Sequence, residues 1–145
     1  MSLSRFLKSN KTPGKENVKY AVTKELTDEK GNPLLWEIKH LSSKEIRTIR
    51  EESTTMETAS EKGKTKATFK MDMELYTGKL IVNSIVYPDL LNAELQNSYG
   101  VTTPEQLIYE MVDNPKEFDD LVEFINKLNG LNTDSIDDEI SIAKN

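Results

Sequence analysis

The chain has 145 residues, 36% of them hydrophobic and 30% charged, with no cysteine and one histidine, His40. These counts exclude disulfides, thiolate nucleophiles, zinc–sulfur sites and histidine-rich metal centres, and no apolar run approaches the roughly 20 residues that span a bilayer. The net charge of −6 is unevenly spread: residues 1–70 carry 15 Lys/Arg against 10 Asp/Glu, residues 71–145 carry 4 against 15, and the acidic half would repel a nucleic-acid backbone.

The first ten residues, MSLSRFLKSN, lack the apolar centre and cleavage site of a signal peptide, so a soluble cytoplasmic protein is expected. Residues 1–17 are polar around Pro13-Gly14 and read as an extended arm, with Phe6 and Leu7 as a hydrophobic anchor for another chain or for the arm's own domain. Residues 18–26 alternate as a strand, with Val18, Tyr20 and Val22 on one face. The run from Asp28 to Pro33 is a turn by composition. Residues 34–41 form a second strand that sets Trp36, Ile38 and His40 on one face. The two strands predict a β-hairpin, which is marginal in water until it packs on something else. Trp36 is the expected anchor, in a core or at an interface. His40 has the chemistry of a general base, but no nucleophile or carboxylate is recognisably arranged around it. It reads as a strand residue at a strand–helix junction.

Ser42 with Glu45 three residues on is a capping box, flanked by Leu41 and Ile46 as a hydrophobic staple. The helix it opens has a narrow apolar edge, Ile46 and Ile49. Residues 53–67 are rich in Ser, Thr, Lys and Glu around Gly63 and read as a mobile loop. Their GKTK sequence lacks the upstream glycine and strand of a phosphate-binding loop. From about Phe69 to Val86 the apolar residues recur at helical spacing, and Gly78 suits a close helix crossing. A short helix is expected next, with Pro88 at its first position and Gly100 just past its end. Leu90, Leu91, Leu95 and Tyr99 form its sticky row. Thr103, Pro104 and Gln106 open another helix with the apolar face Leu107, Ile108, Met111 and Val112. Asn114-Pro115 starts the last one, which runs to Leu128 with Phe118, Leu121, Val122, Ile125 and Leu128 on one stripe and Asn129-Gly130 as its stop.

The expected fold class is α+β and mostly helical: an N-terminal β-hairpin and short helix, then about four C-terminal helices. The expected domain organisation is an arm over 1–17, a single domain over 18–130 and a flexible acidic tail over 131–145. Within the domain, 18–52 hold the hairpin and helix, 53–68 the polar loop and 69–130 the helical part. A transient helical turn is expected around Ile136–Ala143, and the acidic run Asp137-Asp138-Glu139 lacks the ligand spacing of a calcium loop. The opposite charges of the two halves are of a kind that orients a protein partner or a neighbouring copy.

Several blocks in order carry a resemblance. They are Phe6-Leu7-Lys8, Glu16-Asn17-Val18-Lys19-Tyr20, Gly31-Asn32-Pro33 with Trp36-Glu37-Ile38-Lys39, Val86-Tyr87-Pro88-Asp89-Leu90, Ala93 through Val101, and the terminal Ala143-Lys144-Asn145. Together they resemble the XkdN-like family of phage tail assembly chaperones, known from Bacillus prophages of the PBSX type with contractile tails. Ala93–Val101 is the most specific block. The chain departs from the family at Asn114-Pro115-Lys116-Glu117-Phe118, where a Gly-Glu-Tyr turn is expected, with the local shape conserved.

The resemblance implies a non-enzymatic protein of the host cytoplasm, absent from the finished virion. It implies a partner, the tape measure protein, kept soluble until the tail tube polymerises around it. It also implies self-association and, in many relatives, a longer frameshifted form of the chaperone. It supplies no catalytic, cofactor-binding or metal-binding residues. An amphipathic tape measure helix needs apolar grooves for its recognition. The candidate partner-binding residues are Leu90, Leu91, Leu95, Tyr99, Trp36 and Phe6, each of which has closure of the protein's own core as its alternative. Two other functions compete: a minor structural component retained in the virion, and a magnesium nuclease built on paired carboxylates. A DNA-binding regulator is disfavoured because the helix bearing Arg47 and Arg50 is also acidic.

Overall fold

A computed structural model describes residues 2–131. Strands β1 (Val18–Ala21) and β2 (Leu35–Ile38) pair antiparallel with Tyr20 opposite Trp36. In the turn between them the Asp28 carboxylate accepts from the backbone N–H groups of Lys30 and Asn32, at 2.8 and 2.9 Å, and Gly31 takes φ +84°. Trp36 and Ile38 point inward as expected, while Leu35 and Glu37 face out.

Helix α1 (Ser43–Glu52) starts at the anticipated capping box. Glu45 N–H donates to the Ser42 hydroxyl, and the Glu45 carboxylate accepts from Ser42 N–H. Lys39 Nζ also donates to Glu45 at 2.7 Å. The bond from Lys39, then those from Ser42, hold the Glu45 carboxyl below its usual pKa. A depressed carboxylate stabilises the fold above its unfolded pKa and loses that contribution as the pH falls through the lowered folded value. Urea titrations at stepped acid pH should therefore show a smaller acid-induced loss of stability in Glu45→Gln than in wild type. Coincident pH profiles would contradict this.

The chain then departs from expectation. Residues 53–67 do not form a loop. Strands β3 (Thr54–Glu61) and β4 (Lys64–Met71) make a second antiparallel hairpin, closed by Lys62 and Gly63, both at positive φ (54° and 76°). Two consecutive residues at positive φ are what a tight hairpin turn requires. Their alternation of threonines with charged and apolar residues has period two.

The helix expected over 69–86 is correspondingly shorter. α2 covers Met73–Ser84, with Asp72 as its cap accepting from Leu75 N–H. β-Branched Ile85 and Val86 belong instead to β5 (Ile85–Tyr87), which pairs antiparallel with β2 and completes a three-stranded sheet in the order β1-β2-β5. The two elements are locked together where Lys39 N–H donates to the Ser84 carbonyl at 2.8 Å. This third strand and the helices behind it supply the packing that an isolated hairpin lacks.

The short helix also begins later than Pro88. The Asp89 carboxylate accepts from Leu91 N–H, turning the chain, and Asn92 caps α3 (Ala93–Ser98) by accepting from Leu95 N–H at 2.9 Å. An asparagine that caps and an aspartate that forms its own turn outcompete proline as the start signal here. Gly100 does sit just past the end, at φ +69°.

Helix α4 (Pro104–Met111) starts at the expected Thr103 cap, and α5 (Pro115–Leu128), capped by Asn114, matches its expected span. α5 ends in the pattern expected of a glycine stop: Leu131 N–H reaches back to the Asn126 carbonyl at 2.7 Å, and Gly130 is at φ +69°. Asn129 also ties α5 to the rest of the fold, its Oδ1 accepting from Leu41 N–H at 2.7 Å. At Gly78, α2 approaches α4 closely, and a β-carbon there would meet Glu105 and Tyr109 at 3.5–3.6 Å.

The core lies between the inner face of the sheet and α1, α2, α4 and α5. It contains Trp36, Ile38, Ile46, Ile49, Leu80, Ile81, Leu107, Ile108, Leu121 and Ile125. Tyr20 stacks on Phe124 with ring centroids 4.1 Å apart, joining β1 to α5. Phe118 and Tyr109 stack at 4.9 Å, joining α5 to α4. The N-terminal arm is not extended throughout: Leu3–Phe6 and Lys8–Asn10 form two 3-10 turns, the first capped by Ser2. The acidic run and the helical turn expected near the C-terminus lie outside the described residues.

Candidate partner-binding surfaces

The six candidate residues separate by burial. Trp36 is 2% exposed and Leu90 4%, both inside the core. A partner would have to open the fold to reach them. Leu95 and Tyr99 are half-buried and pack against the core edge. Leu91 is 73% exposed. Leu91 and Leu95 therefore do not share a helical stripe, because Asn92 starts the helix between them. Phe6 stands exposed on the arm, with Leu3 and Leu7 beside it in sequence and also exposed.

What sequence reasoning missed is a pair of apolar faces on strands. The first is the outer face of the three-stranded sheet. Leu35 points out from β2, and Tyr87 on β5 pairs opposite outward-facing Glu37, which makes it a diagonal neighbour of Leu35 on the same face. Both are more than half exposed, Val86 is also exposed, and exposed Leu91 follows four residues after Tyr87. Clusters of exposed apolar side chains of this kind mark interaction surfaces. The available signal was the β-branched Ile85-Val86 pair before Tyr87, read at helical rather than strand period.

The second is the β3–β4 hairpin. Register sets Met56 opposite Phe69 and Thr58 opposite Ala67 on one face, with Glu57, Glu61, Lys64, Lys66 and Lys70 on the other. Met56 is 61% and Phe69 75% exposed.

A concave surface of about 500 Å³ lies between the end of β1 and the N-terminus of α5, lined by Tyr20, Val22, Glu25, Lys116, Glu117 and Asp120 among others. Glu117 closes its floor, accepting from the Thr23 hydroxyl and from Lys24 N–H, both at 2.8 Å. Burial, and then the charges of Asp120 and Glu117, raise the Tyr20 phenol above its usual pKa. The neighbouring Asp113 carboxylate similarly raises Glu25. Glu25 and Asp113 are thus a pair of neighbouring carboxylates, the feature a metal nuclease would need. Among the described residues, however, no group of three or more His, Cys, Asp or Glu is placed to hold a metal ion. His40 follows β2, and its Nδ1 is buried without a hydrogen-bond partner, so no carboxylate orients the ring through that nitrogen. The GKTK sequence sits at the tip of the second hairpin and in its returning strand, not at a helix N-terminus. No described helix is long and apolar enough to cross a membrane.

Among the described residues these surfaces offer apolar contact and charge. The family described as Phage XkdN-like tail assembly chaperone protein, TAC, matches residues 3–144, which is nearly the whole chain. The chain belongs to this family of phage tail assembly chaperones. Among curated relatives the chaperone is 24% identical over 140 residues to the phage-like element PBSX protein XkdN of Bacillus subtilis, covering 97% of this chain and 92% of that one. It is 23% identical over 140 residues to the uncharacterized protein YqbN of the same organism, covering 97% and 91%. The crystal structure of YqbN shares its fold, with a TM-score of 0.71 at 21% identity over 90% of this chain and 97% of that one. The expected α+β class and the expected family both hold.

Proposed function

We propose that this chaperone acts without catalysis in the host cytoplasm, binding the tape measure protein of its phage and keeping it soluble until the tail tube forms around it. Membership of the tail assembly chaperone family over residues 3–144 carries the reading. The surface supports it. Leu35 on β2 and Tyr87 on β5 are uncovered apolar side chains that share one sheet face, and Leu91, in the turn that follows β5, is uncovered as well. An amphipathic helix recognised by such a surface exchanges its own exposed apolar stripe for buried contact at about 25 cal/mol per Å². A few large apolar side chains give modest affinity, which suits a protein that the growing tube must displace.

Co-expression with a tape measure fragment tests this. The fragment is expected to shift from the pellet to the soluble fraction when the chaperone is present and to co-purify with it. Equal precipitation with and without the chaperone would refute the reading.

A further inference from the structure

The β3–β4 hairpin is an arm with nothing to lean on. Its strands run eight residues each, roughly 27 Å at about 3.3 Å per residue. They pair only with each other, and all but the end residues Thr54 and Met71 are exposed. Two free sheet edges and an apolar face built on Met56 and Phe69 are features that folded proteins usually cover. The arm is also cationic: Lys62, Lys64, Lys66 and Lys70 outnumber Glu57 and Glu61.

The matching surface lies on the helical half. Residues 72–131 carry 11 Asp/Glu against 3 Lys. Two adjoining depressions between α2 and α4 share Glu74, Gln106 and Tyr109 and are rimmed by Asp72, Glu105 and Glu110, with Leu75 on an apolar floor beside the Tyr109 ring. Lys79 is the cation paired there, with Glu52 and Glu105 at 3.4 and 3.8 Å. Burial, and then the charges of Glu74 and Asp72, raise the Tyr109 phenol above its usual pKa, as expected in a field of excess carboxylates. The depression beside β1 is less suitable because Lys24 and Lys116 line it and would repel the arm.

We infer that the β3–β4 arm docks on a second copy of this chain, Met56 and Phe69 lying on Leu75 and Tyr109 of the α2–α4 groove while the arm's lysines meet its carboxylates. Register sets Lys64, Lys66 and Lys70 on the face opposite Met56 and Phe69, so their contact is with carboxylates on the groove's rim, reached by long stems that pass around the strand edge. An 18-residue arm and a groove contributed by each copy approach the about 20–30 residues a side of a standard interface. The contact does not involve the outer sheet face, so it stands or falls independently of tape measure binding.

Sedimentation velocity on the full chain, across micromolar to millimolar concentration, tests the inference. The wild type is expected to self-associate, less so at high salt, since exposed charges are screened. Met56→Asp with Phe69→Asp is expected to be monomeric. Lys64→Glu with Lys66→Glu, and separately Glu74→Lys with Glu110→Lys, should each weaken association about tenfold or more through like-charge contact. All these side chains are exposed, so circular dichroism should show the wild-type fold. An equimolar mixture of the two charge-reversed variants should associate better than either alone, because each arm then faces a groove of opposite sign. A wild type that stays monomeric overturns the inference, as does a mixture that behaves like its components. Self-association that persists in the Met56/Phe69 variant while a tape measure fragment is lost would assign the arm to that partner instead, and would equally overturn it.

Discussion

Trp36→Ala is expected to cost about 3–5 kcal/mol, the range for emptying a fully buried large aromatic site. Trp36 is 2% exposed, stands opposite Tyr20 in the sheet and packs among Ile38, Leu80 and the α4–α5 residues that share its core. The surrounding sheet is pinned by β-ladders on both sides of β2, so the cavity has little freedom to collapse. Domains of this size are stable by about 5–15 kcal/mol, so the loss is a large share of the total. Urea unfolding should show the midpoint falling steeply, with Trp36→Phe retaining much of the stability. A stable Trp36→Ala protein that loses only partner binding would mean that the indole belongs to an interface, against its burial.

The second large effect is expected at Glu117. Its carboxylate accepts two hydrogen bonds at 2.8 Å, from the Thr23 hydroxyl and from Lys24 N–H, and so fastens the chain after β1 to the first turn of α5. Thr23 is 2% exposed, so its hydroxyl loses this acceptor when the carboxylate is removed. Hydrogen bonds to a charged group contribute about 1.5–3 kcal/mol, and Glu117→Ala should destabilise by that order. Glu117 also follows the Asn114 cap by three residues, where its charge suits the helix N-terminus. Pairing Glu117→Ala with Thr23→Val should cost less than the sum of the two single changes, because the hydroxyl is then no longer orphaned. Strict additivity would show that the link contributes nothing.

The parts of the fold visible in the sequence are those where local chemistry and tertiary contact agree. Ser42 with Glu45, Thr103 with Gln106, and Asn114-Pro115 marked three helix starts that the structure keeps. The alternation around Tyr20 and Trp36 marked the first hairpin and its inward face. The losses have two physical causes. Ile85 and Val86 continue the apolar content of α2, so a helix and a buried strand look alike there until β2 is known to lie alongside. The second hairpin buries almost nothing, and without a hydrophobic face turned to the core its Thr, Ser, Lys and Glu composition reads as a loop. Its signal was the period-two alternation around Lys62-Gly63, a weaker cue than Asn-Gly.

The candidate surface was legible only in part. Apolar residues near Pro88 were singled out, but Leu90 turned inward and Leu91 outward because the Asp89 and Asn92 side chains set the turn between β5 and α3. The exposed face of the sheet depends on register, which no local pattern reports.

The central proposal is that exposed apolar side chains on the sheet's outer face and in the turn after β5 perform this chaperone's work. Its most direct test is the soluble yield of a co-expressed tape measure fragment with wild type and with Tyr87→Asp and Leu91→Asp combined. Both residues are exposed, so the variant should melt close to wild type while the fragment returns to the pellet. A correctly folded variant that still holds the fragment fully in solution would contradict the claim.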